Sequence, residues 1–396
     1  MRIVYLSRKR ECQLRRLISL AIGFIVLVVA TTGCLVLPGN TSQITLVSSS
    51  TVSGWKYDFY RNSAYPCSIS GYQTFVVGTR VGSSSTASSP LWVWMHGGGV
   101  GYFDSSGTPR PDGSQMTENS ASSLQASLTN AGLSANIQAD PAGFRMLAVS
   151  YCNRDIYSGT GQTDPNNPNL NADGSARTTN GLQATKAAVA FTEATYPTSK
   201  YFLAGGSAGS AGAYYVGWSE QLSGNPPAGV VGDASVVNVE EGTAAYQQGV
   251  CRNGNFDPNA QPIISQRVDP QIADVNNEVD KLVASGQLTV PLLHIWNHAD
   301  TNTCGSKPMQ CPLRDGSVVT MGATDCDHQP LAAAITAEGS NSTSENLPLC
   351  VQLPGTPSCS LHVVTPHAGL TNSDPASPSN YLAAITSWVD LRLASP

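Results

Sequence analysis

The strongest chemical signal in the sequence is a serine set in a glycine-rich turn. An apolar, strand-like run at 200–204 leads into Gly205-Gly206-Ser207-Ala208-Gly209, and a helical pattern follows over Ala211–Leu222. A serine on a tight strand-to-helix turn needs neighbours without bulky side chains. The start of the helix favours negative charge on a nearby oxygen. The pattern predicts that Ser207 is a nucleophile and that Ala208 donates a backbone N–H to an oxyanion. The alternative is a structural glycine turn.

A second glycine-rich segment lies upstream and suits the same chemistry. The apolar run Leu91–Met95 ends in His96-Gly97-Gly98-Gly99. A strand that runs into His-Gly-Gly-Gly is typical of the loop that binds the oxyanion in esterases. We expect Gly98 or Gly99 to supply the second N–H donor. His96 is expected to orient this loop and not to act as a base.

A serine nucleophile requires a base and a carboxylate that orients the base. The apolar run Val290–Trp296 is followed closely by Asp300, where the acid of a parallel sheet is expected. Three histidines come later in the chain, as the usual serine, acid, histidine order demands: His328, His362 and His367. His328 resembles a helix start and ranks third. Position alone does not decide whether His362 or His367 is the base.

Alternating strand and helix patterns predict the elements that position these residues. The predicted strands are Thr74–Gly78, Leu91–Met95, Met146–Ser150, Lys200–Ala204, Ser235–Val239, Val290–Trp296 and Leu361–Thr365. The predicted helices are Gly181–Ala194, Ala211–Leu222, Pro270–Ala284 and Ser379–Leu393. Several strands are continuous apolar runs, which indicates parallel strands covered on both faces. The prediction is an α/β fold, α/β-hydrolase-like, with a doubly wound, mostly parallel sheet and helices on both faces.

Polar segments and cysteines fill the remaining length. Residues 103–140 and 154–178 are rich in Gly, Ser, Asp, Asn and Pro, and we expect them to form long loops that line the mouth of the site. Asp155 and Tyr157 are therefore candidate substrate contacts.

Eight cysteines outside the N-terminal segment suit four disulfides, with the pairing left open. These are Cys67, Cys152, Cys251, Cys304, Cys311, Cys326, Cys350 and Cys359. Five of them fall in 301–360, which predicts a disulfide-stapled insertion.

The N-terminus has the order of an export signal. A basic start precedes an apolar run over 17–37 that includes small residues before Cys34. Three interpretations remain open: a cleaved signal peptide, a lipoprotein signal with a lipid on Cys34, or an uncleaved membrane anchor through residues 17–37. All three place the rest of the chain outside the cytoplasm. The predicted division is an export segment at 1–37, a polar spacer at 38–55 and one catalytic domain at 56–396.

Charge and composition exclude several partners. Residues 1–37 hold six of the 21 basic and one of the 27 acidic side chains, so the remainder carries 15 basic and 26 acidic groups, a net charge of −11. Such an acidic body has no electrostatic footprint for nucleic acid. His294 and His298 have a metal-like spacing, but in a strand they lie roughly 13 Å apart, too far to share an ion. We expect neither a metal nor a cofactor.

The motifs together resemble the pectin acetylesterase/Notum family of serine hydrolases. Trp92–Gly99 is similar to the family's strand-Glu-Gly-Gly-Gly-Trp segment, with His96 in place of the acid and Val100 in place of the aromatic residue. The stretch 151–159 is close to its Tyr-Cys-x-x-Asp-x-x-Ser-Gly motif. The turn at 203–209 is similar to its Leu-x-Gly-x-Ser-Ala-Gly motif. The stretch 297–300 resembles its Asn-x-x-Tyr-Asp acid motif, with alanine in place of tyrosine.

The resemblance implies roles for individual residues. The family's catalytic histidine follows a cysteine by three positions, which Cys359 and His362 match. It therefore favours a Ser207–His362–Asp300 triad and implies removal of an O-acyl group, with O-acetyl expected, from a small molecule or polysaccharide. The change at Val100, a further candidate substrate contact, puts the pocket's size and substrate in question.

Two other functions remain open at this point. One is another hydrolase on the same fold, such as a lipase, a polyester depolymerase or a peptidase. A lipase is disfavoured because residues 103–140 are polar, whereas a lipase lid is usually apolar. The other is an extracellular carbohydrate-binding protein without catalysis.

Overall fold

A nine-stranded sheet forms the centre of the computed structural model, which describes residues 41–83, 87–110, 116–235, 238–251, 256–339 and 342–395. The predicted export segment, 1–37, lies outside the described residues. The strands in chain order are β1 (Ile44–Val52), β2 (Trp55–Asn62), β3 (Gln73–Arg80), β4 (Ser89–Met95), β5 (Tyr102–Phe103), β6 (Pro109–Arg110), β7 (Arg145–Val149), β8 (Gln162–Thr163), β9 (Thr178–Thr179), β10 (Thr198–Gly206), β11 (Gly229–Asp233), β12 (Leu292–Asn297), β13 (Pro308–Pro312), β14 (Val318–Gly322) and β15 (Glu345–Leu349).

The central sheet has the order β1-β2-β3-β7-β4-β10-β11-β12-β15. The first four strands in that order pair antiparallel, and every pair from β7 to β15 is parallel. The short strands form three separate hairpins, β5–β6, β8–β9 and β13–β14. In a parallel sheet the carboxyl ends of the strands meet at one edge. At that edge, Ser207 follows β10, Asp233 ends the neighbouring strand β11, and Asp300 follows β12, the next strand.

Helices cover both faces of the sheet. One face packs against Gly181–Thr195, Ala208–Leu222, Val279–Ala284 and Ala323–Ala337, and the other against Ala121–Leu128, Leu133–Ala139 and Tyr381–Ala394. In β4, Val93 faces the first layer and Trp92 the second, both with no exposed surface. Burial on both faces explains the continuous apolar runs. The predicted doubly wound α/β fold is confirmed. Further short helices are Thr41–Gln43, Val239–Gln247, Gln261–Ser265, Pro270–Ala273 and Val275–Asn277.

Two predicted strands are wrong. The strand expected at Ser235–Val239 lies earlier, at Gly229–Asp233, and a helix begins at Val239. The two glycines of the real strand weaken its apolar signal, yet their lack of side chains lets the neighbouring helix pack closely. The segment Leu361–Thr365 is a loop, and the strand next to β12 is instead Glu345–Leu349. Because this is an edge strand, it tolerates the proline that hides its pattern.

Three other expectations also need correction. The polar spacer at 38–55 contains β1, an edge strand whose Ser and Thr side chains are exposed, so its polarity reflects solvent contact. The expected loop at 103–140 contains the helices Ala121–Leu128 and Leu133–Ala139. The expected helix Pro270–Ala284 is broken, because the side chain of Asp274 accepts a hydrogen bond from Asn276 N (2.9 Å) and starts a new turn.

Four disulfides join all eight cysteines of the predicted set. They are Cys67–Cys152, Cys251–Cys304, Cys311–Cys326 and Cys350–Cys359. The expectation of four disulfides is confirmed, and such bonds persist in oxidising compartments. No helix in the described ranges is long and apolar enough to cross a membrane.

Candidate active site

Ser207 occupies a strained turn directly after β10. Its backbone has φ 55° and ψ −126°, a conformation rare for residues with a side chain. The helix Ala208–Leu222 begins at the next residue. The backbone N–H of Ser207 donates to the carbonyl of Asp233 (2.8 Å), which ties the turn to the end of β11. A side chain at Gly209 would collide with the carbonyl of Met95, so the close packing of this turn requires glycine there.

Asp300 and His362 form a close pair at the same edge of the sheet. His362 Nδ1 lies 2.5 Å from Asp300 Oδ2, and the Asp300 carboxylate is buried. Thr303 Oγ1 donates to the same carboxylate oxygen (2.7 Å), and Asn302 N donates to the other (2.9 Å). Burial alone would lower the pKa of His362. The hydrogen bond and charge of Asp300, aided by Asp233, overcome that effect and raise this pKa above its usual value.

Contacts around Gly206 and Asp233 bring the serine turn and the histidine loop together. A Cβ added at Gly206 would lie 2.6 Å from Cγ1 of Val363, the residue after His362. The Asp233 carboxylate accepts a hydrogen bond from Thr365 N (2.7 Å), while its carbonyl binds the N–H of Ser207. The predicted nucleophile and base therefore sit on segments that are anchored to one residue.

The predicted oxyanion loop packs against the nucleophile. A Cβ added at Gly97 would lie 2.7 Å from the Cβ of Ser207, and Gly98 and Gly99 have φ of 145° and 70°. The Gly98 carbonyl accepts a hydrogen bond from the guanidinium of Arg154. The C=O and N–H of a trans peptide point in opposite directions, so this bond fixes the direction of the Gly99 N–H. Ala208, the expected second donor, follows Ser207 at the helix N-terminus.

His96 is placed as expected for a residue that orients this loop. Its Nδ1 lies 2.7 Å from the Gly97 carbonyl, and its Nε2 lies 3.1 Å from Oδ1 of Asn119. Burial lowers the pKa of His96 below its usual value, although its hydrogen bonds with Gly97 and Asn119 act in the opposite direction.

The three candidate substrate contacts lie inside the protein. Asp155 has no exposed surface, and its carboxylate accepts the N–H groups of Gly159 (3.0 Å) and Gly181 (2.8 Å). Tyr157 is also fully buried, and its hydroxyl donates to the carbonyl of His96 (3.0 Å). Val100 packs in a small apolar cluster. These side chains hold the loops around the site in place, which corrects the expectation that they contact substrate.

The other histidines have different partners. His367 bonds through its backbone, with its carbonyl accepting from Tyr381 Oη (3.0 Å), whereas the contact with Asp300 belongs to His362. His328 is buried, with its Nδ1 3.2 Å from Nε2 of His294. Among the described residues, no group of three or more His, Cys, Asp or Glu side chains is arranged to hold a metal.

Sequence reasoning missed two residues of this site, Asp233 and Arg154. Asp233 was missed because β11, the strand that it ends, was predicted too late in the chain. Arg154 stands inside the motif at 151–159, but its contact with Gly98 joins segments 56 residues apart. A local motif carries no signal for such a contact.

Comparisons with known proteins give a general likeness to esterases. No family model and no curated protein matches the sequence. A solved thermostable esterase from Pseudomonas putida is 13% identical, with 89% of this chain and 86% of that chain covered and a TM-score of 0.46. An S-formylglutathione hydrolase from Agrobacterium tumefaciens is 10% identical, with 77% and 89% covered and a TM-score of 0.42. The esterase LipA from Xanthomonas oryzae, described as rice cell wall degrading, is 12% identical, with 77% and 89% covered and a TM-score of 0.40. At this level of similarity, the functional argument rests on the geometry of the site.

Proposed function

We propose that the protein is a secreted serine carboxylic ester hydrolase that removes O-acyl groups through Ser207, His362 and Asp300. The observation that carries the proposal is the His362–Asp300 pair, anchored beside a strained serine turn that faces a glycine loop. A nucleophile, an oriented base and backbone donors are the parts that acyl transfer requires.

The geometry supports a two-step mechanism. Asp300 accepts the Nδ1–H of His362, which leaves Nε2 free to take the proton from Ser207 Oγ as that oxygen bonds to the acyl carbon. The N–H groups of Ala208 and of Gly98 or Gly99 stabilise the resulting oxyanion. The C–O bond to the leaving alcohol then breaks, and His362 returns the proton to that alcohol. Water attacks the acyl-enzyme in the same way and releases the acid.

The proposed acyl group is acetyl, and the proposed substrate is an acylated small molecule or polysaccharide. The support is the pectin acetylesterase/Notum-like stretch at 151–159, which the structure places beside the glycine loop. Export is part of the proposal, supported by the four disulfides. A tether through residues 17–37 or a lipid on Cys34 would keep the enzyme at the cell surface.

Ester hydrolysis tests the proposal directly. We expect the purified protein to hydrolyse p-nitrophenyl acetate and to release acetate from acetylated polysaccharide. A fluorophosphonate probe should label it. Ser207→Ala should lower kcat by about 10⁴-fold or more and abolish labelling. Wild-type turnover in this variant would exclude the mechanism. A wild-type protein that neither hydrolyses esters nor takes the probe would favour a binding protein.

A matched pair of variants tests the base. His362→Ala should lower kcat by about 10⁴-fold, because Ser207 loses its proton acceptor. His367→Ala should retain most activity, because the structure pairs Asp300 with His362. The opposite result would assign the base to His367.

A further inference from the structure

A second buried carboxylate lies between the serine and the acid of the proposed triad. Asp233 ends β11, the strand between β10, which leads to Ser207, and β12, which leads to Asp300. Its side chain has no exposed surface. The proposed mechanism assigns it no step.

Asp233 contacts both the Ser207 turn and the loop that carries His362. Its backbone carbonyl accepts the N–H of Ser207 (2.8 Å). Its Oδ2 accepts both the N–H and the hydroxyl of Thr365, each at 2.7 Å, three residues after His362. The far side of this loop is also fixed, because Thr365 O accepts the N–H of Leu133 (2.7 Å).

The charged groups around Asp233 and His362 show which positive charge the Asp233 carboxylate can stabilise. His362 faces three titratable groups: Asp300 after β12, Asp233 after β11 and His328 from the helix Ala323–Ala337. Within the described part of the chain, the other titratable groups that interact with Asp233 are the hydroxyls of Tyr214 and Tyr381, which are neutral because burial raises their pKa values. Protonated His362 is therefore the positive charge that Asp233 can stabilise.

We propose that Asp233 is a positioning residue that holds the His362 loop against the Ser207 turn and stabilises the imidazolium by its charge. The inference rests on the proposed function, since it concerns the same serine mechanism. Asp233 would stabilise the transition state, because the neutral, active form of His362 becomes positive as it takes the proton of Ser207.

Burying an ionised carboxylate costs free energy, which indicates that the charge of Asp233 has a role in the site. A buried ionised carboxyl loses hydration that a few hydrogen bonds restore only in part. An asparagine of the same size would make the same two bonds to Thr365 without that cost. Burial raises the pKa of Asp233 to about 6, so the group is ionised at the neutral pH where His362 works.

Asp233→Asn separates the charge from the shape, and the test uses kcat against pH together with unfolding. At pH 8 we expect kcat to fall roughly tenfold, and we expect the apparent pKa of the acidic limb to fall by about one unit, because His362 loses one of two stabilising charges. The midpoint of chemical unfolding at pH 8 should stay the same or rise, because a costly buried charge is gone. Asp58→Asn, a buried site in β2 away from the triad, is the matched control and should leave the pH profile unchanged.

A second variant covers the case in which Asp233→Asn does not fold. Thr365→Val removes the hydroxyl bond to the carboxylate and keeps the N–H bond, so kcat should fall several-fold, most strongly below pH 7. An unmoved acidic limb in both variants, or a loss of kcat that only follows loss of folding, would overturn the inference. Loss of turnover in Ser207→Ala would still stand in that case, so the proposed function is tested separately.

Discussion

At the scale of single residues, the hydroxyl of Tyr157 holds the start of the glycine loop, and its removal should disturb that loop. It donates to the carbonyl of His96, one residue before Gly97. Tyr157→Phe keeps the ring stacked on Tyr151, with centroids 4.5 Å apart, and leaves the partly buried His96 carbonyl without this donor. We expect a loss of about 1–3 kcal/mol in the free energy of unfolding. We also expect kcat to fall about tenfold, because a small displacement of the proposed oxyanion donors is costly.

The matched control for this variant is Tyr201→Phe. Tyr201 is also buried and donates to the Asn225 carbonyl (2.5 Å), but it lies near the start of β10, at the opposite end from Ser207. It should lose a similar free energy of unfolding with kcat unchanged. If kcat stays at the wild-type value in both variants, the Tyr157 hydroxyl contributes to stability and not to catalysis.

Local motifs explain why some residues of the site could be predicted and others could not. Ser207 and the glycine loop lie within patterns whose steric reason is local. His362 and His367 were equivalent by position, and only the family resemblance favoured His362, which the contact with Asp300 supports. Asp233 was missed because its role depends on loops distant in sequence.

At the scale of elements, the disulfide Cys350–Cys359 fixes the segment that carries His362. It joins the end of β15 to a residue three positions before the histidine, and the carbonyl of Cys359 accepts the N–H of Ala299 (3.0 Å). The double variant Cys350→Ser with Cys359→Ser should lose about 3 kcal/mol of unfolding free energy. It should also lose at least tenfold in kcat, because the His362 loop gains freedom.

The disulfide Cys311–Cys326 provides the comparison at this scale. It staples the hairpin β13–β14 to the helix Ala323–Ala337. Replacing both cysteines with serine should cost about 3 kcal/mol as well, since the loops closed are of similar size. Its kcat should stay within about twofold of wild type, measured at a temperature where both variants are folded. Equal losses of kcat would mean that the effect is general.

Elements with a strong apolar pattern were predicted well, whereas the edge strands β1 and β15 and the glycine-containing central strand β11 were not. The helix Gly181–Thr195 and strand β4 are largely buried, so their apolar residues form a pattern that the sequence shows plainly. Strand β1 is exposed along nearly its whole length, so its Ser and Thr residues resemble a spacer. Pairing with β2, and not a buried face, makes it a strand, and the sequence of a single strand carries little information about pairing.

At the scale of the whole molecule, the layered architecture follows from the sequence but the strand order does not. Continuous apolar runs between helical patterns already require a sheet covered on both faces. The position of β7 between β3 and β4 depends on crossover connections, which local patterns do not specify.

One partly exposed cluster should make stability fall as the pH rises above neutral. His298 lies between two carboxylates, with Nδ1 2.7 Å from Asp325 Oδ1 and Nε2 3.0 Å from Asp374 Oδ2. It joins the end of β12 to the helix Ala323–Ala337 and to the loop at 372–374. The hydrogen bond to Asp325, opposed by partial burial and aided by Asp374, raises the pKa of His298 to about 9.

The sign of the effect follows from where the proton binds. The folded protein holds the His298 proton more tightly than the unfolded chain, whose histidine titrates near pH 6.5. The stabilisation is therefore complete below about pH 6.5 and is lost as pH rises through 9. Buried His294, whose pKa burial lowers to about 3, is neutral in the folded protein and mostly neutral in the unfolded chain above pH 7, so it adds little slope there.

His298→Gln tests this directly by urea unfolding between pH 6 and pH 10. The wild type should lose free energy of unfolding from pH 7 to pH 9.5, and the variant should lose clearly less over the same interval. The variant should also be less stable than wild type at pH 6 and close to it at pH 10. High salt should narrow the difference, because the cluster is partly exposed and its charges are screened. Parallel curves for the two proteins would mean that His298 binds its proton equally in the folded and unfolded states, and that its contacts with Asp325 and Asp374 do not stabilise the fold through charge.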